Sequence, residues 1–284
     1  MEPTSLTLFL SPHFDDIPLS CGGIAARLAN IGGYCIGITV FAEPHDDSAP
    51  LSPFMLNMHQ EWEQAAGMNV QAINAVRRRE EEAAMRTLGL HHEWLEFMDA
   101  PYRRSMKDGH YFYVDDPTLF GPPAPEERRR LVRQIADRVR EISSKAEAEL
   151  GVRGRVRVFA PLGIGRHVDH QLVYSAARVL GPRFGVLHYE DYPYVQREGA
   201  LGRRLDELNL PAKAMTTPIT DLIGVKIASI GRYKSQLESL FKPASAMSGA
   251  VREYTGAVAA EAGWPEGEYG ERVWQMPSIY VVRS

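Results

Sequence analysis

The chain begins with a short unbroken apolar run, Leu6-Thr7-Leu8-Phe9-Leu10, after which the hydrophobic period changes repeatedly. Residues 5–11 read as a buried strand. Residues 19–31 place apolar side chains at Leu19, Ile24, Leu28 and Ile31 and close on Gly32-Gly33, as a helix does. Residues 34–41 are apolar and β-branched, a second strand. Strand, helix and strand in this compass predict a right-handed βαβ unit, and near-continuous apolar strands fit a parallel sheet covered on both faces. The spacing then predicts a weak helix from Pro53 to about Gly67, a firm one over 70–88 and a third strand from His92 to Phe97. An amphipathic helix follows from Pro125 to about Leu150, a strand over 155–160, a helix through Leu172 to Leu180 and a fifth strand over 185–189. Residues 212–218 predict a sixth strand, 219–241 one long helix, and Ile279 to Val282 a last strand in a tail that is otherwise hard to read. Residues 98–125 are long, aromatic and irregular, the mark of a functional or mobile loop. The expected class is α/β, a three-layer sandwich with a mostly parallel sheet. With no repeat or linker, residues 1–284 read as one domain, of which 244–284 is an elaboration.

Composition narrows the partners. A net charge of -4 gives no basic excess for nucleic acid or anionic lipid. Arg77-Arg78-Arg79 and Arg128-Arg129-Arg130 each sit beside glutamates in a helical pattern and read as solvated helix faces. The two cysteines, Cys21 and Cys35, lie in apolar surroundings without a Cys-x-x-Cys pair, as buried thiols in a reducing compartment do. Met1-Glu2-Pro3-Thr4 lacks the basic start of a signal peptide, and no apolar run approaches the ~20 residues that span a bilayer. The expected location is the cytoplasm, and a homo-oligomer stays open.

The candidate chemistry lies in two clusters, His13-x-Asp15-Asp16 and His167-x-Asp169-His170, each at the C-terminal end of a predicted strand. A doubly wound sheet brings such ends to one edge, where ligands bind. Asp-Asp after a strand is common as a helix cap, and His-x-x-His alone is often incidental. Both together at one sheet edge point to a metal site. Catalytic zinc takes three protein ligands, which His13, Asp16 and His170 would supply. Asp15 is then placed as general base for the bound water, His167 as acid or oxyanion stabiliser, and Asp169 as the group that orients His167. Iron(II) would suit the same ligands. The turn after the first strand carries two carboxylates instead of G-x-G-x-x-G, which disfavours a dinucleotide site.

The pairing of His13-Phe14-Asp15-Asp16 with His167-Val168-Asp169-His170 resembles the two motifs of the PIG-L/LmbE-like family of zinc-dependent N-acetyl deacetylases. The resemblance extends to Arg77-Arg78-Arg79-Glu80, to Lys226 and Lys234-Ser235-Gln236, and to Glu271-Arg272. It implies a Rossmann-like fold and removal of acetyl groups, typically from N-acetylglucosamine moieties of small molecules or glycoconjugates. Carried over by position, it implies His13, Asp16 and His170 as zinc ligands, Asp15 as base, His167 at the oxyanion and Arg77 at the substrate. The chain departs from the family pattern at Phe14 and Ile17, where proline and glutamate are usual. Gly165 and Arg166 stand where some members have a tyrosine that assists the oxyanion, so such help would have to come from elsewhere.

For the substrate side, Asp99, Tyr102, Arg103 and Arg104 begin the long loop, and Tyr192 and Tyr194 follow the fifth strand, where they could meet a sugar ring. His45, His59, His91, His92, His110 and His188 lack ligand-like spacing and read as surface or structural residues. The expected activity is hydrolysis of an acetamide on an amino-sugar-containing small molecule. Hydrolysis of another amide, a non-catalytic carbohydrate-binding protein on the same fold and a nucleotide-dependent transferase are the rivals.

Overall fold

The computed structural model describes residues 5–43, 50–151 and 154–277. Seven strands form one sheet: β1 (Leu6–Ser11), β2 (Tyr34–Thr39), β3 (His91–Trp94), β4 (Val156–Pro161), β5 (Phe184–Tyr189), β6 (Lys213–Pro218) and β7 (Gly270–Gln275). Their order is β3-β2-β1-β4-β5-β7-β6. The first five are parallel, and β7 runs antiparallel to both β5 and β6. The strand order reverses between β1 and β4, which pair Thr7 with Arg157 and Phe9 with Phe159. At such a switch point the loops leaving two adjacent strands diverge to opposite faces and leave a crevice. Both His-containing clusters sit at that crevice.

Ten helices accompany the described strands: α1 (Asp16–Asn30), α2 (Pro53–Ala66), α3 (Val70–Leu88), the single turn α4 (Asp116–Leu119), α5 (Pro125–Leu150), α6 (Val168–Arg178), α7 (Ala200–Leu208), α8 (Ile223–Ile230), α9 (Lys234–Phe241) and α10 (Met247–Glu261). Alternate strand residues point to opposite faces, so one sheet builds two apolar layers. Leu8, Ile38 and Val158 pack with Leu131, Ile135 and Val139 of α5 and with Leu172 and Val173 of α6. Phe9, Phe159 and Val273 pack on the other side with Ile24 of α1, Met85 and Leu88 of α3, and Ile223 and Ile230 of α8. The Phe9 and Phe159 rings stack 4.7 Å apart beneath the switch point. No described helix is long and apolar enough to cross a membrane.

The expected firm helices over 70–88 and 125–150 form over those spans. Two expectations are corrected, and one falls outside the described residues. The stretch 219–241 is not one helix: it breaks between α8 and α9 at Tyr233, whose backbone leaves helical geometry (φ -84, ψ 57). The break is held by tertiary hydrogen bonds. The Tyr233 hydroxyl donates to Glu81, and Glu80 accepts from the backbone N–H and the hydroxyl of Ser235, capping α9 from α3. The tail supplies α10 and β7, neither of which the hydrophobic pattern predicts, while the strand expected at Ile279 to Val282 lies outside the described residues. Arg77 and Arg78 are not a solvated face: their guanidiniums lie over the rings of Phe14 and Trp94.

Helix α1 starts at Asp16, before the expected position, and is kinked at Cys21 (φ -143, ψ 25). The backbone groups the kink frees are buried and must be satisfied. Lys226 Nζ donates to the carbonyls of Pro18 and Leu19 and to Glu271 Oε1, and Glu271 accepts from the N–H groups of Gly23 and Ile24. Lys226 and Glu271, each 1% exposed, thus form one buried ion pair that replaces the missing helix hydrogen bonds.

Candidate metal centre and active site

Ser11 ends β1, its hydroxyl donates to the His13 carbonyl, and the turn that follows lifts His13 over the crevice before α1 begins. Asp16, the first residue of α1, is pinned when its Oδ2 accepts the His13 backbone N–H at 2.8 Å. The same Oδ2 lies 3.7 Å from His13 Nδ1, and Oδ1 lies 3.6 Å from His170 Nε2. Ligand atoms of His13, Asp16 and His170 all fall within 4.8 Å of one another. Ligands of a tetrahedral zinc at 2.0–2.2 Å stand roughly 3.3 Å apart, so the spacing fits.

His170 decides the fit. It is buried on α6, its Nδ1 is held by Asp191 Oδ1 at 2.7 Å, and its Nε2 is buried with no hydrogen-bond partner among the described residues. A buried polar atom left bare costs free energy, and a carboxylate on the far nitrogen is the usual support of a metal-binding imidazole. The cluster therefore suits a divalent cation. A second grouping, His13 with His167 and Asp169, is also compact. It is the weaker one, because the Asp169 oxygens are already taken.

Asp169 was expected on His167; its carboxylate is on His13 instead. Oδ2 lies 3.1 Å from His13 Nε2 and accepts from the Ala100 N–H, and Oδ1 accepts from Arg103 Nη1 at 2.5 Å. Position 169 reaches His167 only through its backbone, whose N–H donates to His167 Nδ1 at 3.3 Å. That bond leaves the proton of the neutral ring on Nε2.

Electrostatics separate the groups. Burial opposes charge on His13, but Asp99, Asp169 and Asp16 outweigh it and its pKa is raised well above the usual value. His170 is likewise raised, by Asp16 and Asp191 against burial. Burial, with His13 and His170 beside it, holds His167 well below the usual value, so it is neutral near pH 7. Asp169 stays ionised: burial would raise it, and the Arg103 guanidinium and His13 pull it far below the carboxylate range. Asp15 goes the other way, pushed up to about 7 by burial and the adjacent Asp16 charge. Its carboxylate makes no capping hydrogen bond although it occupies the N-cap of α1.

The loop residues divide. Asp99 Oδ1 is 3.5 Å from His13 Nε2, so it stands at the rim of the cluster, and Arg77 lies over Phe14 on the Asp15 side. Tyr102 meets His59 Nε2 at 2.7 Å. Arg103, expected at a sugar, is instead buried (5% exposed) between Glu127 and Asp169 and ties the loop to the site. Tyr192 is also corrected: it is in the apolar layer against Phe241 and Tyr254. Tyr194 faces the cluster, its ring 5.5 Å from His170 and edge-on to Phe120, which in turn meets His167. Gly165 is needed for this, since a Cβ there would come 2.6 Å from the Tyr194 ring, and its φ of +83 suits glycine. The space opposite the second motif is thus filled by a tyrosine from the loop after β5.

Sequence reasoning missed Asp191. Its Oδ1 holds His170 while its Oδ2 accepts from the N–H groups of Gly163 and Ile164, so one buried carboxylate sets both the imidazole and the turn leading to His167. Its place directly after a predicted strand end was the available signal. His188, near the same strand end, is structural: it is buried, its Nδ1 donates to the Pro161 carbonyl, and burial lowers its pKa to about 3.

The profile of the family described as PIG-L: GlcNAc-PI de-N-acetylase matches residues 8–180, which contain both clusters. The chain belongs to the PIG-L family. Among relatives of this PIG-L protein, a 2'-N-acetylparomamine deacetylase of Streptomyces fradiae is 33% identical over 281 residues, 94% of this chain and 88% of the relative. A protein of the same name from Niallia circulans is 30% identical over 246 residues, 82% of each chain. Among solved structures, a deacetylase–teicoplanin complex from the teicoplanin biosynthesis pathway is 27% identical with a TM-score of 0.72, covering 96% of this chain and 98% of the other. The zinc-inhibited form of teicoplanin deacetylase gives a TM-score of 0.76 at 25% identity over the same shares. The PIG-L chain is thus a deacetylase-family enzyme with a site able to hold a divalent metal.

Proposed function

We propose that this PIG-L chain is a zinc-dependent N-deacetylase that hydrolyses an acetamide on an amino-sugar-bearing small molecule. The observation that carries the reading is the His13, Asp16 and His170 cluster, with the bare His170 Nε2 turned into it and Asp15 poised beside it. His13, Asp16 and His170 hold the ion. When bound, it supplies Lewis acidity toward a carbonyl oxygen and toward water.

The chain's own residues carry the protons. Asp15 takes a proton as water oxygen attacks the acetyl carbon. His167, neutral and with its proton on Nε2, donates a hydrogen bond to the developing oxyanion without changing its own charge. The C–N bond then breaks as Asp15 returns its proton to the leaving nitrogen, giving the amine and acetic acid, whose remaining proton passes to the amine to leave acetate and the ammonium. The depressed His167 pKa supports Asp15 over His167 as that acid. Asp169 and Arg103 position His13, and Asp191 positions His170. Asp99 and Arg77 stand where substrate polar groups arrive. The buried free thiols Cys21 and Cys35 support a cytoplasmic location.

The test measures amine release from 2'-N-acetylparomamine, chosen from the relatives' names, and from N-acetylglucosamine conjugates. Release is expected to stop on chelation and to return with zinc. Amine release that ignores the chelator would overturn the metal-dependent reading, and no release from any acetylated amino sugar would overturn the substrate class. His170→Ala is expected to purify folded but without metal, as read by circular dichroism and elemental analysis. Stoichiometric metal in that variant would remove His170 from the ligand set.

A further inference from the structure

A second cleft lies at the opposite end of the sheet. Strand β7 pairs with β5 only at His188↔Trp274 and Tyr189↔Val273. Below these, Phe184 to Leu187 have a strand neighbour on the β4 side alone, and the end of β7 at Gln275 and Met276 splays away. The gap is a cleft of about 370 Å³. Among the described residues its lining includes Arg155, Arg157 and Arg178 and no aspartate or glutamate.

The three arginines line the cleft from both faces of the sheet. Val156 and Phe184 belong to the layer beneath α6, so Arg155 and Arg157, which alternate with Val156 along the strand, lie on the other face, and Arg178 arrives from the end of α6. Among the described residues none of the three forms an ion pair. Arg178 donates to the Pro277 carbonyl, but its Nε is buried without a partner. Gly185 lets Arg155 lie against β5, since a Cβ there would sit 3.0 Å from Arg155 Nε. Like charges gathered with no counter-charge repel one another, and an exposed arginine escapes that repulsion by swinging into solvent. Arg155 and Arg157 are exposed and free to do so, whereas Arg178 is half-buried, held at the Pro277 carbonyl with a bare Nε. Arginine forks match the planar or trigonal oxygens of carboxylate and phosphate, and an open sheet edge adds backbone N–H donors.

We infer that this cleft is a binding site for a small anion carrying phosphate or carboxylate groups, separate from the deacetylase centre at the other edge. The two chemistries share the same recognition and are told apart by the probes. Inorganic phosphate and succinate are each titrated into the metal-loaded protein against sodium chloride of equal ionic strength, and melting temperature and calorimetric heat are followed. At least one anion is expected to bind saturably, in His170→Ala as well as in the parent chain. Arg155→Gln/Arg178→Gln is expected to weaken that binding at least tenfold while leaving amine release in anion-free buffer unchanged. Should the double variant fail to fold, the exposed Arg157→Gln serves in its place. Binding no better than chloride, binding that survives the arginine changes, or binding lost in His170→Ala would each overturn the inference, the last by placing the anion at the metal centre.

Discussion

Asp15→Asn is expected to keep its metal and to lose turnover by on the order of 10²–10⁴-fold, the contribution of a positioned general base. The change is nearly isosteric, and because the Asp15 side chain caps nothing, it removes no helix hydrogen bond. What it removes is a carboxylate that burial and Asp16 have pushed up to about 7, close to the pH at which it must work. A base acts only when deprotonated, so kcat/KM should climb with pH through the Asp15 titration and level off above it. A bound cation favours the ionised form and draws that midpoint from about 7 toward the ordinary carboxylate range. The asparagine variant should show no such acidic limb. Steady-state kinetics across the acid range, with metal content measured on the same samples, decide the matter. Substantial turnover in a metal-replete variant would sink the assignment.

The largest expected effect on stability comes from the pair that bridges the kink in α1. Glu271→Ala strips Lys226 of its counter-charge and leaves the N–H groups of Gly23 and Ile24 bare in the core. Breaking a buried ion pair from one side costs about 3–5 kcal/mol, and here backbone donors are orphaned as well. Denaturant unfolding should show the loss, and Lys226→Met/Glu271→Ala should lose less than the sum of the single changes, because the second removes a charge the first has stranded. A single variant within about 1 kcal/mol of the parent chain would show that the pair does not hold the kink.

Legibility in the sequence tracked how local the physics was. Helices α3 and α5 follow from periodicity because each buries one regular face, and strand β1 from an apolar run buried on both faces. The meeting of the two His-containing clusters was legible because sheet topology alone carries two strand ends to one crevice. Strand β7 was not, since its sequence, Gly-Glu-Arg-Val-Trp-Gln, puts charges where a strand shows apolar residues. Those charges are buried for partners far away: Glu271 for Lys226, and Arg272 for Glu190. Helix α10 was obscured by Gly249 and Gly256, which lower its intrinsic helicity. The roles of Arg103 and Asp191 were hidden for a similar reason. Arg103 looked like a loop arginine until Glu127 and Asp169 closed on it from α5 and α6, and the single carboxylate of Asp191 serves three donors on two other segments. Tyr192 and Tyr194 differ by two positions, and only the path of the loop decides which of them meets the metal cluster.

The kink has a consequence for how the enzyme is made. The hydrogen bond from Gly23 to Glu271 closes a loop of 248 positions, the largest separation among the contacts that shape α1. Domains assemble as units while the chain emerges from its N-terminus. The helix that begins with Asp16 is synthesised well before β7, yet its buried backbone groups find their partners only when β7 has been added. Until then the nascent chain carries Asp16 on an incompletely bonded helix, with His13 and Asp15 just ahead of it. The bonds that set α1 are therefore completed only after β7 is made, and a chain cut before Glu271 would contain every proposed metal ligand but lack those bonds.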